Sequence, residues 1–263
     1  MRLTWFDSNS WLIEMAGQTL LLDPWLVGSL TFGNLPWLFK GEKTTQYDLP
    51  SHIDGLLLSQ GLEDHAHPPT LASLDHHLPV VGSPNAARVV TALGYDQVTA
   101  LQPGENLTLK ERLEIRAFTG SLVGPNLIEN AYLLTDRETG HRLYYEPHGF
   151  HAAELQEMGP VDVVLTPVVG IRLLGLAPVL KGQETTLELC RWLRPQVLLP
   201  TSGAAAITYE GLLAKVLRLE GSVERFQQLL QANHLTTEVL LPQPGVPLEL
   251  SLDTPAKTAM ATQ

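Results

Sequence analysis

Short apolar runs separated by polar or glycine-containing breaks open the chain. Residues 3–6, 11–15 and 19–22 read as strands, and Gly17-Gln18 suits a hairpin turn between the last two. Residues 53–59 form a further apolar strand. Pro68-Pro69 then opens a helix to Leu74, because proline fits a first helical turn. Ser83-Pro84 opens another that runs to Leu93 and stops at Gly94. Strand patterns recur at 80–81, 98–101, 107–109, 113–118, 131–135, 142–146 and 161–166, and later at 197–200, 238–241 and 248–252. Helices are expected over 152–158, 184–193 and 222–232. Strands followed by strand–helix units thus occur twice in order. Two sheets packed face to face, with helices outside, satisfy that order. The expectation is a mixed α/β (α+β) four-layer αββα sandwich. Residues 1–253 are expected to form a single domain, and the polar, Ala/Thr-rich residues 254–263 a flexible tail.

Two apolar stretches do not fit the strand pattern and are read as loops. Residues 25–50 carry Trp25, Leu26, Phe32, Leu35, Trp37, Leu38 and Phe39. Residues 167–180 read PVVGIRLLGLAPVL. Loops this long are usually functional or disordered, and the aromatic content argues for the first.

Composition narrows the classes. Among 263 residues, 44% are hydrophobic and 17% charged, which describes a globular chain. The net charge of −11 and the lack of a Lys/Arg run argue against a nucleic-acid partner. The one cysteine, Cys190, excludes an intrachain disulfide and fits a reducing compartment. The N-terminus has no apolar signal core, and the best spanning candidate, residues 163–180, holds two prolines and an arginine. No transmembrane segment and a cytoplasmic location are therefore expected.

The chemistry concentrates in two segments. Residues 56–65 read LLLSQGLEDH, followed by Ala66-His67, and residues 144–151 read YYEPHGFH. The first resembles the metallo-β-lactamase superfamily, in which an apolar strand runs into Thr/Ser-His-x-His-x-Asp-His. Ser59, Asp64 and His65 match that motif; Gln60 and Leu62 stand where its first two histidines belong. The LLLDP string at residues 20–24 is similar to the ascorbate-lactonase-like group. The strings SQGLEDH and YYEPH resemble a degenerate branch found in cyanobacteria and plant plastids. The resemblance spans about residues 3 to 203 and implies a metallo-β-lactamase-type sandwich of the hydrolase class.

It also implies that the usual two-metal ligand set is rewritten. Thr119, Gly120 and Ser121 occupy the place of the family's third histidine. Glu146-Pro147-His148-Gly149 replaces a Gly-Asp-Thr segment, which puts His148 near the bridging aspartate. Thr201-Ser202-Gly203 replaces the last histidine. Asp64, His65, His67, Glu146 and His148 are therefore the candidate metal ligands, with Asp64 and His65 also the candidate catalytic residues. Imidazoles mixed with carboxylates suit Zn, Mn or Fe. Asp23 is expected to orient a ligand from behind, while Gln60, Ser121, His151 and Ser202 are expected around the ligands or the substrate pocket.

Two functions follow. One is a metal-dependent hydrolase-like protein with a degenerate, mononuclear site, acting on an ester, lactone or phosphoester of a small, apolar molecule. The other is a non-catalytic binding or assembly protein that keeps the fold without metal. In this fold, loops after such strands lie near the active-site edge. The two apolar stretches would then serve as a substrate cover, a homodimer interface or a membrane contact, unless they pack as ordinary core.

Overall fold

The structure is a computed structural model and describes residues 1–123, 127–175, 177–201 and 206–253. Two seven-stranded sheets dominate it. The first runs, in spatial order, Pro247–Glu249, Arg2–Trp5, Trp11–Met15, Gln18–Leu22, Gly55–Leu58, Val80–Gly82 and Val98–Ala100. The second runs Glu238–Val239, Val197–Pro200, Val163–Thr166, Arg142–Tyr145, Leu127–Asp136, Leu113–Val123 and Asn106–Leu109.

Alternation along the strands assigns side chains to layers. Leu20, Leu22 and Leu57 enter the core between the sheets, with Leu143, Tyr145, Val163, Leu165 and Leu199 from the other side. The intervening Leu21, Leu56 and Leu58 face outward and pack under helix Pro84–Ala92 through Ala86 and Val90. Tyr144, Val164 and Leu198 face outward from the second sheet onto helices Glu184–Leu193 and Val223–Ala232 through Leu189, Cys190, Phe226 and Leu230. Period-two alternation thus builds three apolar layers from short runs of leucine and valine, giving the αββα order.

Helix Pro84–Ala92 begins where Ser83 accepts a hydrogen bond from the Ala86 N–H, with proline in its first turn. The stretch expected as a helix at 152–158 is instead a tighter 3-10 turn, Ala153–Glu157. The two apolar stretches are also more ordered than loops. Lys40–Lys43 pairs with Leu30–Thr31 on one side and Ile207–Glu210 on the other, and Gly170–Leu173 pairs with Ala177–Leu180 and Leu217–Glu220. Part of the first stretch is buried: Trp25, Leu30 and Phe39 form a small core of their own. What remains exposed is Leu35, Trp37, Leu174 and Val179. The proposed tail lies outside the described residues.

Polar bonds join the two sheets along one edge. The Asn130 N–H donates to the Ser59 carbonyl at 2.9 Å, and the Tyr132 hydroxyl to the Leu58 carbonyl at 2.8 Å. Both acceptors lie at the carboxyl end of the Gly55–Leu58 strand, so this edge is fixed in both directions. No helix among the described residues is long and apolar enough to cross a membrane.

Candidate metal centre

The site is built where parallel strands end. Leu22 and Leu57 are neighbours in the parallel ladder, so the chain leaves the first sheet side by side at Asp23 and Ser59. Asp23 accepts from the Ser59 N–H at 2.7 Å and from the Ser59 hydroxyl. The second sheet sends Tyr145 across to the same carboxylate, with its hydroxyl 2.6 Å from Oδ2. The fourth donor is His65, whose Nδ1 lies 2.7 Å from Oδ2. Asp23 and His65 are both fully buried. Asp23 sits at φ 40°, a left-handed conformation that turns the chain sharply so that its carboxylate faces back over the strand ends.

Asp64 lies on the other side of the ring, with Oδ2 3.3 Å from His65 Nε2. Burial opposes a charge on His65, but Asp64 and Asp23 outweigh it and raise the imidazole well above its usual range. Burial likewise disfavours the Asp64 anion, yet His65 and then His148 hold it below the usual carboxylate range.

From the second sheet, strand Arg142–Tyr145 ends in Glu146, and the next turn presents His148. Its ring centre is 5.1 Å from that of His65. Nδ1 of His148 lies 2.6 Å from Oε2 of Glu129, a fully buried residue of strand Leu127–Asp136. Glu146 is pinned by backbone: His148 N–H reaches Oε1 at 3.2 Å, Phe150 N–H reaches Oε2 at 2.9 Å, and Gly149 N–H donates there too. Burial and the nearby Glu129 push the Glu146 carboxyl well above its ordinary range.

Two metal-capable groups emerge among the described residues: Asp64, His65 and His148, and Glu129, Glu146 and His148. In each group the ligand atoms lie within 4.8 Å of one another. A tetrahedral ion with bonds near 2.1 Å would hold them roughly 3.4 Å apart, so modest closure suffices. The donor chemistry also fits. In the first group Asp64 Oδ1 is buried without a hydrogen-bond partner, as is the nearby-sequence Gln60 Oε1. Each imidazole already has a carboxylate on Nδ1, the usual support of a metal-bound histidine through the other nitrogen.

His67 is not part of this cluster. Its Nδ1 meets the Thr70 hydroxyl at 3.0 Å and its Nε2 the Ser29 carbonyl at 3.2 Å, so both nitrogens are engaged. Burial keeps the imidazole below its usual range. The reason for its direction is local: the N–H groups of His65 and Ala66 both turn back to the Leu62 carbonyl. The segment is thus a turn rather than an extended strand, and residues two apart do not share a face.

His151 is also buried, with Nδ1 3.3 Å from the Tyr144 hydroxyl and Nε2 without a partner. Burial and Lys181 push it down to about 3, which keeps it neutral. Ser121 is buried at the irregularity of strand Leu113–Val123. Ser202 lies outside the described residues.

Two contacts escape the sequence reading. Asn9, from a tight turn in which Asp7 and Ser8 both have positive φ, brings its amide nitrogen 3.2 Å from His65 Nε2. Glu129 is the other. It stands with Asn130 just before the apolar run at residues 131–135, with no motif around it.

The sandwich and a strand-end cluster of imidazole and carboxylate define a metallo-hydrolase-like class. The sequence model of the family described as "Beta-lactamase superfamily domain" matches residues 2–202, and the chain belongs to that family. No curated protein sequence is significantly similar to it. Solved structures with the same fold include an isothiocyanate hydrolase from Delia radicum gut bacteria, at 15% identity and TM-score 0.67, covering 95% of this chain and 99% of that one. A metallo hydrolase from the archaeon Ignicoccus hospitalis gives 18%, 0.67, 95% and 99% in the same terms. A diiron beta-hydroxylase from Streptomyces venezuelae gives 17%, 0.62, 91% and 52%. At such identities the likeness is one of fold.

Proposed function

We propose that this protein is a metal-dependent hydrolase with one divalent ion held by Asp64, His65 and His148, acting on an ester, lactone or phosphoester of a small, apolar molecule. The supporting observation is the pair of carboxylate–imidazole contacts, Asp23–His65 and Glu129–His148, whose rings lie 5.1 Å apart with the Asp64 carboxylate within reach of both. Two imidazoles and a carboxylate form the donor set of catalytic zinc hydrolases and also of non-haem iron sites, so Zn, Mn and Fe are the candidates. When bound, such an ion supplies Lewis acidity and a water acidic enough to attack near neutral pH.

The chain's own residues do the rest. Asp23 holds the Nδ1 proton of His65, which leaves Nε2 to coordinate. Asp23 is itself fixed by Ser59 and Tyr145, so the ring has little freedom to turn. Three backbone N–H groups hold the Glu146 carboxyl and thereby shape the turn that presents His148. Leu35 and Trp37 in the connection between Leu30–Thr31 and Lys40–Lys43, and Leu174 and Val179 in the hairpin at residues 170–180, remain exposed and favour an apolar substrate or a second copy of the chain as their cover.

A second reading is a metal-free binding protein, favoured by Leu62 and Gly120 at ligand positions. A Cβ on Gly120 would lie 3.1 Å from the Glu129 carbonyl oxygen, so a histidine there would require that backbone to give by a few tenths of an ångström. Metal content of untagged, reconstituted protein separates the two, together with turnover of nitrophenyl esters, lactones and phosphodiesters. Turnover lost in His148→Ala supports the hydrolase. Full metal loading without hydrolysis of any of the three classes argues against catalysis.

A further inference from the structure

The ladder between strands Leu113–Val123 and Leu127–Asp136 is interrupted at the site. Thr119 pairs with Asn130, and pairing resumes with Leu122 opposite Ile128. Gly120 and Ser121 therefore stand opposite the single residue Glu129, the two-against-one arrangement of a β-bulge. Bulges bend a strand and re-aim side chains, and they are common beside active sites. A Cβ on Gly120 would press to 3.1 Å from the Glu129 carbonyl oxygen of the partner strand, which disfavours a side chain there. The partner strand instead contributes a fully buried carboxylate, whose Oε2 meets His148 Nδ1 at 2.6 Å and whose Oε1 has no partner.

We propose that Glu129 is a positioning residue of the metal centre: delivered by the bulge, it holds the Nδ1 proton of His148 and leaves Nε2 as the coordinating atom. The inference rests on the reading of His148 as a ligand. The structure contains an internal parallel. Asp23 holds His65 through Nδ1 from the first sheet, and Glu129 holds His148 through Nδ1 from the second. Both carboxylates and His65 are fully buried and His148 is 12% exposed, so each carboxylate fixes the tautomer and the ring plane of its histidine. The two sheets thus supply one oriented imidazole apiece, each within reach of the Asp64 carboxylate. Glu129 touches neither substrate nor metal in this role; it acts through His148.

The test is Glu129→Gln, which keeps the size and removes the charge, read in two ways. The first uses metal-free protein with 15N-labelled histidine at pH 8. Long-range nitrogen–proton spectra should show His148 protonated at Nδ1 in the parent and shifted to the Nε2-protonated form in the variant. The second is affinity for Zn2+ by chelator competition, which should fall about 10- to 100-fold, as for other carboxylates behind a metal-bound histidine. An unchanged tautomer, or an affinity within about twofold of the parent, overturns the proposal. If the parent binds no metal, the hydrolase reading fails separately, and the tautomer still decides the role of Glu129. Should the variant lose its fold, Glu129→Asp is the second probe. Its shorter reach should give intermediate affinity and a mixed tautomer, and parental values for both would equally overturn the proposal.

Discussion

Replacing Asp23 by asparagine tests the bond network that carries the site. The carboxylate accepts from four donors: the Ser59 N–H, the Ser59 hydroxyl, the Tyr145 hydroxyl and His65 Nδ1. Three of them meet at Oδ2. An asparagine cannot satisfy all four. With its NH2 group at Oδ2 it opposes three donors, and with that group at Oδ1 it opposes the Ser59 N–H. It also removes one of the two anions flanking a buried imidazole. Hydrogen bonds to charged groups contribute about 1.5–3 kcal/mol each. Removing one partner of a buried ion pair costs about 3–5 kcal/mol. Because these bonds share one carboxylate they do not add, and we expect a loss of about 3–5 kcal/mol. Tyr145→Phe deletes one donor and leaves Asp23 the other three, so it should cost only about 1 kcal/mol. Urea unfolding of metal-free protein at pH 7, followed by tryptophan fluorescence, reads both values. Asp23→Asn within about 1 kcal/mol of the parent, at an unchanged slope on denaturant, would refute the network.

Two other perturbations probe the frame around the site. Gly149 has φ 77°, and a Cβ there would lie 2.1 Å from the Lys181 carbonyl oxygen, whereas one on Gly17, at φ 69°, meets nothing within 4 Å. Gly149→Ala should cost more than about 3 kcal/mol in urea unfolding and Gly17→Ala about 1 kcal/mol; equal costs would exclude the close approach. At the opposite end of the sandwich, burial disfavours the Asp136 anion, but Arg112 bonds both its oxygens at 3.0 Å and holds it down to about 2. A depressed carboxylate stabilises the fold above its unfolded pKa of about 4 and loses that contribution as pH falls through its folded value. Arg112→Met should therefore cost about 1 kcal/mol at pH 7, limited by screening, and the difference from the parent should vanish near pH 2. A difference that persists there would point to packing instead.

The layers were legible because the central strands are continuous apolar runs, LLL, VVL and VLL, whose successive side chains must bury on opposite faces of a sheet. The paired strands inside residues 25–50 and 167–180 were not. Leu30–Thr31 and Lys40–Lys43 are too short and too polar to show a period, and the second partner of Lys40–Lys43, Ile207–Glu210, lies far along the chain. Asp64, His65 and His148 could be brought together because each follows an apolar strand that ends at the same edge. His67 stands two residues from His65 in the sequence, but the segment folds back onto the Leu62 carbonyl and turns it away from the cluster. Glu129 carries no motif, whereas residues 119–121 occupy the place where the family carries a histidine. The compensating acid stands across the ladder, and cross-strand pairing is invisible in a linear pattern. Asn9 depends on a turn of two positive-φ residues that composition alone does not mark.

The central claim is one metal ion shared by the two sheets through Asp64, His65 and His148. Elemental analysis of untagged protein, reconstituted with Zn2+, Mn2+ or Fe2+ and freed of excess ion, tests it most directly. About one equivalent of one ion is expected in the parent and in His67→Ala, and less than about one-tenth in Asp64→Ala and His148→Ala. Two equivalents in the parent, none after reconstitution, or full retention by His148→Ala would contradict it.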